Sequence, residues 1–270
     1  MNETKIRVLG TVAPYPKNNM NCPGYLIKSN DYNILLDCGN GSTRLLNMKE
    51  DLNNLKIFIT HLHPDHIGDL ASLMQAIYVY KKYGYIDSET DLYIPESYET
   101  RSVAYTDTDG WGASRYETVH THDYDYIEKY AKMADVNIHI ISKKETFDNI
   151  DVESMLVPHP IKSYAFKIKT DSGIIVYSGD TGTENSLDEF SKKSDLFICE
   201  STFLRGQYRD QDYHLYAHEA AEIARKAKVK KLVLTHFWPE IDKEQYVLEA
   251  KKIFENVEAA VEGKEYLLRR

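Results

Sequence analysis

Thr60-His61-Leu62-His63-Pro64-Asp65-His66-Ile67-Gly68-Asp69 is the stretch whose reading decides the fold. The apolar run Leu55 to Ile59 before it predicts a buried strand, and the periodic run Leu70 to Tyr80 after it predicts a helix over about 67–82. Three histidines and an aspartate therefore sit on one strand-to-helix turn, where a chain keeps few polar groups unless something holds them. Imidazole and carboxylate are borderline-to-hard donors suited to zinc, manganese or iron. Their close spacing lets one short loop reach two metal ions. A polar turn that only caps a helix is the plain alternative, and the density of donors argues against it.

Upstream, Lys5 to Gly10 alternates as a strand, Thr11 to Pro23 is a proline- and asparagine-rich loop, and Gly24–Lys28 with Asn33–Asp37 reads as a hairpin. Ser42 can cap a short helix from Thr43 to Met48. Downstream, Asp91–Pro95 predicts a strand, whereas Glu96 to His122 shows no period and reads as a long tyrosine-rich loop around Trp111. Asp123–Met133 predicts a helix and Val136–Ile141 a strand carrying His139, which reads as structural. Strands follow at 151–157, 163–170, 174–177 and 196–199, then a helix at 216–228, a strand at 231–234, a helix at 243–255 and a last strand at 265–268. Strand clusters interrupted by helices predict an α/β layered architecture.

A chain of 270 residues suffices for one large domain or two small ones. It contains no apolar run of the ~18 residues a membrane helix needs, and its start lacks a signal-peptide core, which predicts a soluble, cytoplasmic protein. Cys22, Cys38 and Cys199 are odd in number and lie in apolar or turn contexts, so free thiols are expected. The net charge of -9 leans against a long polyanion such as RNA, which normally meets a basic stripe.

Three more donors close apolar runs: His159 after Met155–Pro158, Asp180 after Ile175–Gly179, and His236 after Leu232–Thr235. Together with the first stretch, the ordered set His61, His63, Asp65, His66, His159, Asp180 and His236 resembles the metallo-β-lactamase superfamily. The likeness extends to Val8-Leu9-Gly10-Thr11 and to Leu35-Leu36-Asp37-Cys38-Gly39, and so spans most of the chain. It implies an αββα sandwich forming one domain over 1–270, with the Tyr-rich segment of about 83–135 inserted. It also implies two divalent metal ions, zinc first with manganese or iron also suited: His61, His63 and His159 at one, Asp65, His66 and His236 at the other, and Asp180 bridging. Asp65 would further orient the attacking water.

The branch can be read from Tyr213-His214-Leu215-Tyr216-Ala217-His218-Glu219-Ala220-Ala221-Glu222-Ile223-Ala224 and Val233-Leu234-Thr235-His236-Phe237, which resemble the C-terminal block of RNase Z. In that family a histidine ahead of the helix is the general acid, and His214 matches it; His218 reads as a surface or cap residue. RNase Z inserts a long tRNA-gripping arm between the counterparts of His159 and Asp180, where this chain has only enough residues for two strands. A small phosphodiester is then the expected substrate, above all a cyclic nucleotide. The composition resembles the phage-encoded, anti-Pycsar type of RNase Z-like nuclease and its bacterial relatives, which implies a homodimer with no membrane partner. Tyr105, Trp111 and Tyr116 would stack on a base or pack locally, while His120 and His122 read as solvent-facing. RNA 3′-end processing, lactone or thioester hydrolysis, and a non-catalytic ligand sensor are the rival readings.

Overall fold

Ile6 and Val8 alternate inward along β1 (Glu3–Gly10), and β2 (Gly24–Ser29) and β3 (Tyr32–Leu36) form the hairpin expected around Asn30-Asp31. The structure, a computed structural model, describes residues 3–96, 125–184, 186–209 and 212–270 in full and residues 99–106 and 114–121 as backbone. A 3-10 turn at Ser42–Leu45 and the short α1 (Met48–Asp51) lead into β4 (Leu55–Phe58), all of whose residues are buried. Beyond the histidine turn come α2 (Pro64–Ile67), α3 (Leu70–Lys82) and β5 (Thr90–Ile94). The strands β6 (Glu99–Thr106) and β7 (Ser114–Thr121) pair with each other; α4 (Asp125–Ala134) and β8 (Val136–Ile140) follow.

The second half opens with β9 (Lys144–Phe147), β10 (Ile150–Val157), β11 (Ser163–Thr170) and β12 (Gly173–Tyr177). It continues through α5 (Leu187–Phe190), β13 (Leu196–Glu200), α6 (Ala217–Ala227) and β14 (Leu232–Thr235). The last elements are α7 (Lys243–Ala250), β15 (Val257–Ala259) and β16 (Glu265–Arg269).

Two seven-stranded sheets result, ordered β16-β1-β2-β3-β4-β5-β8 and β15-β14-β13-β12-β11-β10-β9. Period-two alternation sorts each strand between two cores. Ile34, Phe58 and Tyr93 face Phe166, Ile175 and Tyr177 of the other sheet, while Leu35, Ile57 and Leu92 face α3 and α4. Leu70, Leu73, Met74 and Ile77 give α3 its buried stripe at helical spacing. On the far side Ala217, Ala220, Ala221, Ala224 and Ala227 let α6 approach its sheet closely. The order helix, sheet, sheet, helix is the α/β sandwich expected.

Several local expectations change: Ser42 is the first residue of a 3-10 turn ending at Leu45, not the cap of a helix over 43–48, and α7 ends at Ala250, not at 255. Helix 67–82 is split, because Asp69 N–H donates to the Cys38 carbonyl (3.0 Å) and the Asp65 carbonyl is pressed against Gly39, where a Cβ would stand 2.0 Å from it. The aperiodic stretch after Glu96 contains the β6–β7 pair, with Val103 opposite Glu117. Its Thr, Val and Tyr favour strands without apolar alternation, so no period marks it. Trp111 and His122 lie outside the described residues, and the side chains of Tyr105, Tyr116 and His120 do as well.

β3, β4, β5 and β8 run parallel, as do β12 to β15. Their carboxyl ends are where layered α/β folds place ligands, and the polar residues of interest follow several of them. No helix among the described residues is long and apolar enough to cross a membrane.

Candidate metal centre

Pro64 at the first position of α2, with its fixed φ, starts that helix immediately after His63. Cys38 N–H to the His66 carbonyl (2.8 Å) and Thr60 N–H to Asp37 Oδ1 (2.7 Å) bind the turn to the end of β3. His61 and His66 are fully buried and Asp65 nearly so. From the other sheet, the ends of β10, β12 and β14 deliver His159, Asp180 and His236. His236 sits in the left-handed region (φ 60°), a conformation costing about 1–2 kcal/mol for a residue with a Cβ. Phe237 N–H to the Thr11 carbonyl (2.9 Å) helps hold it there.

All seven residues converge into two groups that share Asp180: His61, His63, His159 with Asp180, and Asp65, His66, His236 with Asp180. In the first, His61 Nε2 and His159 Nε2 lie 3.0 and 3.2 Å from His63 Nδ1, and His61 Nε2 is 3.6 Å from Asp180 Oδ2. In the second, His66 Nε2 and His236 Nε2 are 3.4 Å apart, and His236 Nε2 lies 3.5 Å from Asp65 Oδ2 and 3.0 Å from Asp180 Oδ2. Four donors around a tetrahedral ion with bonds of about 2.05 Å stand about 3.3 Å from one another. The spacing therefore fits a cation at each group. Asp180 Oδ1 adds a second sign: it is buried, 3.3 Å from His66 Nε2, and makes no hydrogen bond among the described residues.

The outer nitrogens of four of the five rings are also engaged, which fixes the inward face of those four. His61 Nδ1 meets Thr60 Oγ1 at 3.0 Å, His66 Nδ1 meets Asp37 Oδ2 at 2.7 Å, His159 Nδ1 meets the Tyr213 carbonyl at 3.3 Å, and His236 Nδ1 meets Thr202 Oγ1 at 2.8 Å. Asp37 in turn accepts from the Tyr177 hydroxyl (2.8 Å), a bond between the two sheets.

Burial pushes the His61, His63 and His159 imidazoles down, His159 to about 4, so they offer lone pairs at neutral pH. Burial also opposes charge on His66 and His236. There Asp180 and the neighbouring carboxylates outweigh it, raising His66 well above the ordinary value and His236 to about 10. Burial would raise Asp180, yet His236 and His66 hold it well below the usual carboxylate range. Protons thus balance charge where a cation could do so, and such sites release protons when they bind metal.

His214 lies beside this cluster. Its ring stacks on His236 (centroids 5.2 Å), and Nδ1 stands 3.0 Å from Glu200 Oε1 and 4.0 Å from Asp180 Oδ2. Burial works against its charged form, but Glu200 and Asp180 prevail and its pKa is raised. Among the described residues its side-chain hydrogen bonds, to Thr202 Oγ1 (3.4 Å) and Glu200 Oε1 (3.0 Å), use Nδ1. His218 instead bonds Glu249 of α7 (2.7 Å), and His139 stacks on Tyr93 and bonds Asp91; both are remote from the cluster's donor groups.

Sequence reasoning passed over Glu200, Asp37, Thr60, Thr202 and Tyr177 as members of the site. Glu200 ends the apolar run Leu196–Cys199 just as Asp180 and His236 follow theirs, so the rule that found those two also points to it.

An all-His/Asp donor cluster at the carboxyl ends of two packed sheets defines a metallo-hydrolase. The chain belongs to the β-lactamase superfamily, whose domain matches residues 32–237, and to its RNase Z-like branch. It is 30% identical to ribonuclease Z of Thermococcus sibiricus, over 92% of this chain and 90% of that one. It is 27% identical to the probable metallo-hydrolase YhfI of Bacillus subtilis, over 86% of each. The crystal structure of YhfI has the same fold (TM-score 0.77, 24% identity, 99% of this chain and 100% of that one). So does the short form of human tRNase Z (TM-score 0.69, 20% identity, 97% and 98%).

Proposed function

We propose that the protein is a dinuclear metal-dependent phosphodiesterase that hydrolyses 3′,5′-cyclic nucleotides, cCMP and cUMP among them, to nucleoside monophosphates. The observation that carries the reading is His214, half-buried beside the shared aspartate and held by Glu200. The branches that hydrolyse lactones or thioesters generally carry no histidine in that block. Two divalent cations, zinc, manganese or iron, would be held by the two donor groups and supply Lewis acidity to phosphate oxygens and to water.

The remaining steps belong to the chain. Asp65 orients the attacking water and takes up its proton. As water adds to phosphorus, the bond to the ribose oxygen breaks, and His214 Nε2 delivers a proton to that oxygen. Glu200 keeps the ring's other proton and offsets the charge of the imidazolium.

A small substrate is supported by the connection between β11 and β12, two residues long, which leaves no arm between His159 and Asp180. The likeness to anti-Pycsar-type nucleases and the homodimer belong to this same proposal. The 30% identity to a ribonuclease Z favours a second reading, cleavage at tRNA 3′ ends.

A panel of purine and pyrimidine cyclic nucleotides, with added zinc or manganese and a His66→Ala control, decides between them. Formation of linear monophosphates, lost in the control, supports the proposal. Metal-loaded protein that leaves the panel intact and cuts precursor tRNA refutes it in favour of the second reading.

A further inference from the structure

We infer that Arg209 is a positioning residue for the proton donor, clamping the main chain of His214 so that its ring faces the substrate. This rests on the role given to His214 above. The histidine lies on the connection between β13 and α6, a long span for a group that must be placed to within a fraction of a bond length. Glu200 fixes one side of it, through Nδ1 and through Leu215 N–H (3.1 Å).

Arg209 fixes the other side. Its Nη1 donates to the His214 carbonyl at 2.9 Å and to Glu219 Oε2 at 2.8 Å, and lies 3.3 Å from Asp212 Oδ1. The guanidinium lies 4.6 Å over the Tyr216 ring, and its side chain is 17% exposed. Each partner is anchored elsewhere. Glu219 is in the first turn of α6 and accepts Tyr216 N–H at 2.9 Å. Asp212 accepts Thr183 N–H (3.2 Å) and its hydroxyl, and its carbonyl presses on Gly182, where a Cβ would stand 1.9 Å away. Arg209 therefore joins the His214 carbonyl both to α6 and to the turn that follows Asp180.

A planar fork of donors can serve a carbonyl and a carboxylate at once, which a lysine ammonium does less well. With its charge met by Glu219 and Asp212, Arg209 is not an anchor for substrate phosphate.

The test is leaving-group dependence. The unactivated ester is a 3′,5′-cyclic nucleotide, or a short RNA should that be the substrate; the activated one is bis(4-nitrophenyl) phosphate, whose phenolate departs without an acid. In Arg209→Ala, kcat on the unactivated ester falls about 10–100-fold with KM changed less than about three-fold, because displacement by about 1 Å suffices for such a loss. The ratio of unactivated to activated turnover falls at least about ten-fold, and adding His214→Ala slows the enzyme no further than His214→Ala alone. Arg209→Lys recovers part of the ratio, and provides the comparison if the alanine variant does not fold.

Equal fractional loss on both esters, or losses that add to those of His214→Ala, overturns the inference and leaves Arg209 as a loop anchor. If His214→Ala itself shows no preference between the esters, the role of His214 fails, and this one with it. If His214→Ala shows the preference and neither Arg209 variant does, the inference about Arg209 alone fails.

Discussion

Replacing Asp37 with asparagine keeps the shape of a fully buried side chain and removes one of its two acceptor oxygens. Oδ1 accepts Thr60 N–H (2.7 Å), and Oδ2 accepts from Tyr177 (2.8 Å) and from His66 Nδ1 (2.7 Å). If the amide oxygen keeps the Thr60 bond, its NH2 meets two groups that were donors. The tyrosine hydroxyl can turn away. His66 must either leave its Nδ1 proton unmet or move the proton to Nε2, the nitrogen facing Asp180 and His236. A buried unmet donor costs about 1–3 kcal/mol. Loss of a metal-binding histidine's outer partner lowers metal affinity about 10–100-fold, which is about 1.4–2.8 kcal/mol. Asparagine is the right substitution because Asp37 has φ 57°, a conformation asparagine tolerates and alanine does not. The assay is zinc competition against a chromophoric chelator, alongside urea unfolding of the metal-free protein. The expected result is one metal bound about 10–100-fold more weakly, with about 1–3 kcal/mol of stability lost. Affinity for every metal within about two-fold of the unsubstituted protein would refute the reasoning, since it would mean that Asp37 does not hold His66 for the metal.

Asp180→Ala removes the carboxylate common to both donor groups, so metal content by elemental analysis should fall at both; unchanged stoichiometry would show that Asp180 does not bridge. His214→Ala should cost about 10²–10⁴ in turnover with metal content retained, and equal loss of both would contradict the role of proton donor. Away from the site, burial would raise the Asp91 carboxyl, but Lys56 and His139 bind it and lower its pKa. A folded pKa below the unfolded one stabilises above about pH 4 and is lost as pH falls through the folded value. Asp91→Asn should therefore cost about 1.5–3 kcal/mol in urea unfolding near neutrality and progressively less at acid pH; the same gap at both would contradict this. The homodimer is checked by sedimentation velocity, where a species of single-chain mass at all concentrations would rule it out.

Much of this protein is written locally in its sequence. The run Leu55–Ile59, the donors after it and the stripe Leu70–Ile77 name a strand, a polar turn and a helix without reference to anything distant, because alternation and helical period are properties of neighbours. The same holds for His159, Asp180 and His236, each marked by the apolar run it follows. Their grouping into two donor sets is what the resemblance implies; only the tertiary structure brings His66 within 3.4 Å of His236, 170 residues away. Asp37 looked like a strand end and proved to be the acceptor that joins His66 to Tyr177 across the two sheets. Glu200 comes directly after the run Leu196–Cys199 in the sequence, and only the tertiary structure sets it against His214. The break between α2 and α3 likewise depends on Cys38 and Gly39, which follow the neighbouring strand β3 and lie outside any helical window. A residue's type and its neighbours decide which element it enters, whereas the partner of a buried polar group is chosen by whichever distant strand end the packed sheets bring against it.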